Sequence, residues 1–339
     1  MLALQLVALL ATAAPQKLDL VIERGRVVDG SGSPWFRADV GIQGDRIVRM
    51  GDLRDVPAKL RLDARDHVVS PGFIDLLGQS ELMVLVDPRA ESKIRQGITT
   101  ELTGELGTVA PVRDEILGGV MGWLSLHQVK LDWKDLDGYW KRFRAARPAI
   151  NIGTLISTSQ VRAVVMGQGS EAPTPEQLLR MQIEVQKAMR QGAFGVAAAL
   201  GYTPTRYQTT DELVMLARSA AKFGGFYATH MRDEGDQVLQ ALDEAIDIGR
   251  RAGPPVEVWH LKVAGTQNWG RMPEVLQGIA AARAEGLDVS ANVYPYLAGA
   301  NMLHADVPDW AQAGGVSAML GRLRDREQRP RIEKEITAA

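Results

Sequence analysis

The sequence predicts an α/β protein: a parallel barrel of the (β/α)8 type with seven legible strands, preceded by a small N-terminal β segment. Three observations carry this. From residue 70 onward, short apolar runs alternate with helical stretches, the pattern of a parallel sheet. Seven such runs are legible, with polar residues at or just past their C-terminal ends, as barrel strands have at the rim that carries chemistry. Residues 18–69 alternate with period two instead, and no helix-period segment separates their strands.

Taken in order, the chain opens with MLALQLVALLATAAPQK, an apolar run closed by small residues over Thr12–Ala14. That composition predicts an export signal over residues 1–14 and a secreted or periplasmic protein, with the cytoplasm as the runner-up. No later stretch approaches the ~20 apolar residues a membrane span needs. Residues 18–69 (LDLVIERGRVVDG, ADVGIQGDRIVRMGDL, RLDARDHVVS) read as a small antiparallel β domain punctuated by Gly and Asp. Residues 70–339 read as the barrel, incomplete at its C-terminal end. Its strands are expected at Gly72–Leu76, Thr99–Thr103, Ile150–Ser157, Phe194–Ala199, Phe226–His230, Val256–His260 and Leu287–Asn292.

The helices between these strands carry their own start and stop signals. In TPEQLLRMQIEVQKAMRQG, Thr174 is the N-cap, Pro175 opens the first turn and Gly192 ends the helix. GDQVLQALDEAIDIGRRAG places Val238, Leu239, Leu242, Ala245, Ile246 and Ile248 near a 3.6-residue period. TTDELVMLARSAAKFGG and MPEVLQGIAAARAEG follow the same scheme, and residues 317–339 read as one or two charged surface helices.

Composition narrows the chemistry. A formal net charge of −2 over 339 residues gives no electrostatic footprint for nucleic acid. The absence of cysteine removes disulfides, thiolate metal ligands and thiol nucleophiles together. Any metal must be held by His, Asp, Glu or a modified Lys.

The strand ends supply the candidates. Strand two leads to Glu101 and Glu105, strand four to Tyr202, strand five to His230, strand six to His260 and Lys262, and strand seven to Asn292, Tyr294 and Tyr296. Two imidazoles at the tips of adjacent strands can converge on one cation, with a carboxylate as third ligand. The same two residues fit equally well as satisfied polar groups on a barrel rim. His67, His127 and His304 lie elsewhere and receive no role.

From about Leu18 to Ala300 the chain resembles the N-acyl-D-amino-acid deacylases (D-aminoacylases) of the amidohydrolase superfamily. The stretches that carry the resemblance are DLVIERGRVVDGSG, VVSPGFID, RQGITTELTGELG, GGFYATHMRDEGD, ALDEAIDIGRRAG, VWHLKVAG and NVYPYLAG. The resemblance implies a zinc-dependent barrel of the amidohydrolase kind set into a small β-sandwich, of which the N-terminal segment would be one half. It implies hydrolysis of a non-peptide C–N amide bond in N-acyl D-amino acids, a small-molecule substrate. It implies His230 and His260 as zinc ligands, and Tyr202, Lys262 and Tyr294 as contacts to the substrate carboxylate or acyl carbonyl.

Three departures qualify what is carried over. The family's His-x-His pair after the first strand is Leu77 and Gln79 here, and its cysteine ligand is Leu106. Its catalytic Asp would lie beyond Ala339. The expectation is therefore one zinc ion rather than two, with Glu105 preferred over Glu101 and Glu81 as third ligand. Ala300 stands where the pattern has Ser, which leaves a substrate contact there without its hydroxyl. The competing expectations are a degenerate amidohydrolase fold that binds without hydrolysing, and a metal-free hydrolase built on Glu81, Glu101 and Glu105.

Overall fold

A computed structural model describes residues 17–107, 109–113 and 124–338. The export signal expected over residues 1–14 lies outside the described residues. The chain divides into two compact units, Met1–Gly72 and Phe73–Ala339. No helix among the described residues is long and apolar enough to cross a membrane.

The first unit is a single five-stranded sheet of β1 (Leu18–Val27), β2 (Phe36–Gln43), β3 (Arg46–Gly51), β4 (Ala58–Asp63) and β5 (Val68–Val69). β1–β2 and β2–β3 are antiparallel, whereas β4 and β5 both lie parallel to β1. The sheet is therefore mixed, not antiparallel as the alternation suggested. Period-two patterning reports which face a residue takes and carries no information on strand direction. Leu18, Val21 and Leu53 form its small core, while Ile47, Val48, Met50, Leu60 and Leu62 remain exposed.

The second unit holds β6 (Phe73–Asp75), β7 (Ile98–Thr103), β8 (Asn151–Thr154), β9 (Ile156–Ser157), β10 (Gly195–Ala199), β11 (Phe226–His230), β12 (Val256–Val258) and β13 (Val289–Ala291). Every ladder among them is parallel. β8 and β9 follow each other through Leu155, whose N–H bonds the Thr103 carbonyl at 2.8 Å, so they act as one bent stave. The staves then run in sequence order, β6 to β13, as a partial barrel at the positions the sequence predicts. Among the described residues no ladder joins β13 back to β6.

Alternation along each stave sorts side chains between two cores, because successive residues point to opposite faces of a strand. Ala197, Ala228 and Trp259 turn inward with Leu102 and Leu155. Val196, Ala198, Tyr227 and Val258 turn outward to the helical layer. Helix Pro175–Arg190 starts on a Thr174–Gln177 capping box, and helix Val238–Ala252 buries the stripe read from its sequence except Leu239, which is half-buried. Helix Leu136–Ala146 lacks a plain aliphatic stripe. Its packing rests on tilted and edge-on contacts among Trp133, Tyr139, Trp140 and Phe143. The C-terminal segment forms two helices, Val316–Arg324 and Arg329–Ala338.

One glycine ties this framework to the rim. Gly104 follows β7 at φ +123°, and a Cβ there would stand 2.7 Å from the Leu155 carbonyl oxygen. Only glycine lets the chain leave β7 this close to the bent stave before Glu105. Gly104→Ala should lower unfolding stability by about 1–3 kcal/mol, the cost of a strained backbone. Gly107→Ala, which lacks both the positive φ and the clash, should stay within about 0.5 kcal/mol of wild type. Urea unfolding of the two variants side by side checks the difference.

Candidate metal centre

Three of the predicted residues meet at the C-terminal rim of the staves. His230 is the last residue of β11, and its backbone carbonyl accepts from the Leu200 N–H at 2.9 Å. Its ring lies over Gly201, where a Cβ would come within 2.6 Å of Nε2, so the approach depends on a residue with no side chain. His260 lies two residues beyond β12. Strand alternation would send it outward, since Trp259 before it already points into the inner core. The chain breaks the alternation at His260, which adopts φ +37°, and its N–H donates to Asn292 Oδ1 at 2.6 Å. A left-handed backbone at a bulky residue is costly and persists only where the surroundings enforce it. Here it turns the second imidazole toward the first.

The donor atoms form a small triangle. His230 Nδ1 and His260 Nε2 are 2.9 Å apart, and Glu105 Oε1 lies 3.2 Å from the former and 2.9 Å from the latter. All three residues are buried, each offering one ligand atom to a common point. Ligands about 2.0 Å from a tetrahedral cation stand about 3.3 Å from one another. The observed edges are slightly shorter than that, and two imidazole nitrogens with one carboxylate oxygen are a donor set suited to zinc. The residues present fit such an ion.

The electrostatics favour positive charge at the same point. Burial works against an ionised Glu105, yet its hydrogen bonds to His230 and His260 bring its pKa down to about 2. Burial likewise opposes a charged His260, but Glu105 and Glu234 outweigh it and raise its pKa to about 9.

Glu234 was not singled out in the sequence. It lies in the loop after β11, with Oε1 3.1 Å from His260 Nδ1 and 2.7 Å from Lys262 Nζ, and Oε2 3.8 Å from His230 Nε2. A carboxylate behind a ligating imidazole orients the ring and raises its basicity. The only sequence signal for this role is its place in YATHMRDEGD, because a loop acid four residues past a strand is ordinarily solvated.

The other two acids considered as ligands lie elsewhere. Glu101 is fully buried beneath the 78–80 loop, with Oε1 3.3 Å from Lys93 Nζ and 3.2 Å from the Ser80 N–H. Gly78 has no side chain to obstruct it there, since a Cβ would fall within 2.0 Å of the Glu101 carboxyl. Burial, reinforced by the charges of Glu101 and Glu105, pushes the Glu81 carboxyl up to about 7. Neither acid joins the triangle.

Leu77 packs against the inner core of Leu102, Leu155 and Trp259, and Gln79 Nε2 donates to Glu105 Oε2 at 2.7 Å. Leu106 contributes its carbonyl to Ser157 Oγ at 2.9 Å. A cavity of about 910 Å³ opens over the triangle, lined also by Tyr202, Lys262, Trp269, Tyr294 and Tyr296. The Tyr202 ring centroid is 4.8 Å from that of His230, and Tyr294 lies 6.4 Å from His260. Lys262 Nζ sits 5.6 Å from the centroid of the Tyr294 ring.

No family model matches the chain. It is 38% identical over 281 residues to the N-acyl-D-glutamate deacylase of Alcaligenes xylosoxydans xylosoxydans, covering 83% of this chain and 57% of that protein. It is 38% identical over 292 residues to the D-aminoacylase of the same organism, covering 86% of this chain and 60% of that one. Among solved structures it matches the N-acyl-D-glutamate deacylase of Bordetella bronchiseptica, complexed with zinc and a phosphonate mimic of the tetrahedral intermediate. That match has a TM-score of 0.77 at 36% identity, over 83% of this chain and 59% of the other. A D-hydantoinase matches with a TM-score of 0.53 at 16% identity, over 90% of this chain and 66% of the other, a likeness of fold alone. The chain thus spans under two thirds of the length of the deacylases it matches. Over most of its length this chain is similar in sequence and in fold to N-acyl-D-amino-acid deacylases (D-aminoacylases).

Proposed function

We propose that this protein is a zinc-dependent amidohydrolase that deacylates N-acyl-D-amino acids at a centre holding one ion. The observation that carries the reading is the buried triangle of Glu105, His230 and His260, with 2.9–3.2 Å between donor atoms. It stands on the floor of a cavity large enough for a small N-acyl amino acid. The apolar N-terminal segment supports export to the periplasm or beyond.

Glu105 Oε1, His230 Nδ1 and His260 Nε2 would hold the ion. Bound there, zinc supplies a Lewis acid for the amide carbonyl and lowers the pKa of water toward ~7. The remaining work falls to the chain. Glu234 keeps the His260 ring aligned through Nδ1. Burial, with the charges of Glu105 and Glu234, raises the Tyr202 pKa, so its phenol stays protonated and can donate to a developing oxyanion. Lys262, positioned over Tyr294, forms the positive pole of the cavity, and we assign that pole to the substrate carboxylate. Glu234 offsets part of this charge, so recognition at that end relies on the Tyr294 hydroxyl as well. Trp269 and Leu297 line the cavity and suit an acyl chain.

Metal analysis after dialysis should find close to one zinc per chain, and His230→Ala or His260→Ala should each abolish it. A wild-type protein that holds no zinc would sink the reading. In turnover assays the full-length zinc-loaded protein, with the Asp that the resemblance places beyond Ala339 to protonate the leaving amine, should release the amino acid from N-acetyl-D-leucine and leave the L-enantiomer intact. Tyr202→Phe should then lower kcat by about 10²-fold, the typical loss of one oxyanion donor. Equal turnover of both enantiomers would exclude the D-specific substrate class.

A further inference from the structure

We propose that Gln79 is a positioning residue that holds Glu105 as a one-oxygen ligand and, together with Leu77, limits the centre to a single ion. The inference rests on the metal-centre reading above and concerns residues for which that reading has no role.

A carboxylate can bind one cation through one oxygen or bridge two cations with both. In this structure the two oxygens of Glu105 have different partners. Oε1 faces the imidazole nitrogens, at 2.9 and 3.2 Å. Oε2 accepts the side-chain amide of Gln79 at 2.7 Å. An amide N–H group is a donor with no lone pair to offer a metal. It therefore satisfies Oε2 and occupies the direction from which a second ion would approach. Two residues earlier on the same loop, Leu77 packs with Leu102, Leu155 and Trp259 and contributes no ligand atom. Below the loop, Glu101 Oε1 is already engaged by the Lys93 ammonium and the Ser80 N–H.

The loop therefore contributes orientation to the centre rather than coordination. A carboxylate pinned at one oxygen presents the other in a fixed direction, so less freedom is lost when the ion binds. Partners that orient ligands in this way are typically worth 10–100-fold in metal affinity.

The test measures zinc stoichiometry and affinity by equilibrium dialysis, and the visible spectrum of the cobalt-substituted protein, for wild type, Gln79→Ala and the isosteric Gln79→Glu. Wild type should hold one zinc. Gln79→Ala should still hold one, with affinity lowered about 10–100-fold and an altered cobalt spectrum. Gln79→Glu replaces the donor with an oxygen ligand beside Glu105 Oε2 and should take up a second ion. Thermal unfolding of the metal-free variants at the wild-type temperature shows that the change is local. Two zinc ions in wild type overturn the proposal. So does a Gln79→Glu variant that stays at one ion with wild-type affinity and spectrum. No zinc in wild type overturns the metal centre itself and this proposal with it.

Discussion

Three donor atoms within about hydrogen-bond distance of one another, brought from three staves, are the constraint around which the rim is organised. Glu105 Oε1, His230 Nδ1 and His260 Nε2 lie this close in a buried setting only with a proton or a cation shared between them. The surrounding features follow from that need. Gly104 lets the chain pass close to the Leu155 backbone before Glu105, Gly201 clears space for the first ring, a left-handed residue turns the second ring, and Glu234 backs it. Each departs from what a strand end would ordinarily adopt, and each departure is directed at the same point.

The inner core supports this arrangement from beneath. Leu102, Leu155, Ala197, Ala228 and Trp259 fill the space below the triangle, and Leu77 joins them from the first loop. A dry floor lowers the local dielectric and strengthens charge interactions above it. The replacement of potential ligands by Leu77 and Gln79 therefore leaves a consistent structure. One residue extends the apolar floor, and the other satisfies the outer oxygen of Glu105.

Much of the fold was legible in advance because its cause is local. Seven apolar runs at parallel-sheet spacing mark the staves, and Thr174 with Pro175 marks a helix start by satisfying or omitting orphan N–H groups. The direction of β4 and β5 was not legible, since alternation is the same for either direction. Helix Leu136–Ala146 escaped notice because its packing uses aromatic faces rather than an aliphatic stripe.

The sequence by itself determined which residue types stand at the stave tips, because β/α alternation places every strand end on one rim. Two histidines, a nearby acid and the absence of cysteine followed from that reading alone. Only the tertiary structure decided that Glu105 rather than Glu101 or Glu81 meets the imidazoles. It alone brought Glu234 behind His260 and Gln79 against Glu105. The physical reason is that such contacts depend on loop backbone angles and on which neighbour first claims each carboxylate. Lys93 claims Glu101, and nothing in a linear pattern encodes that competition.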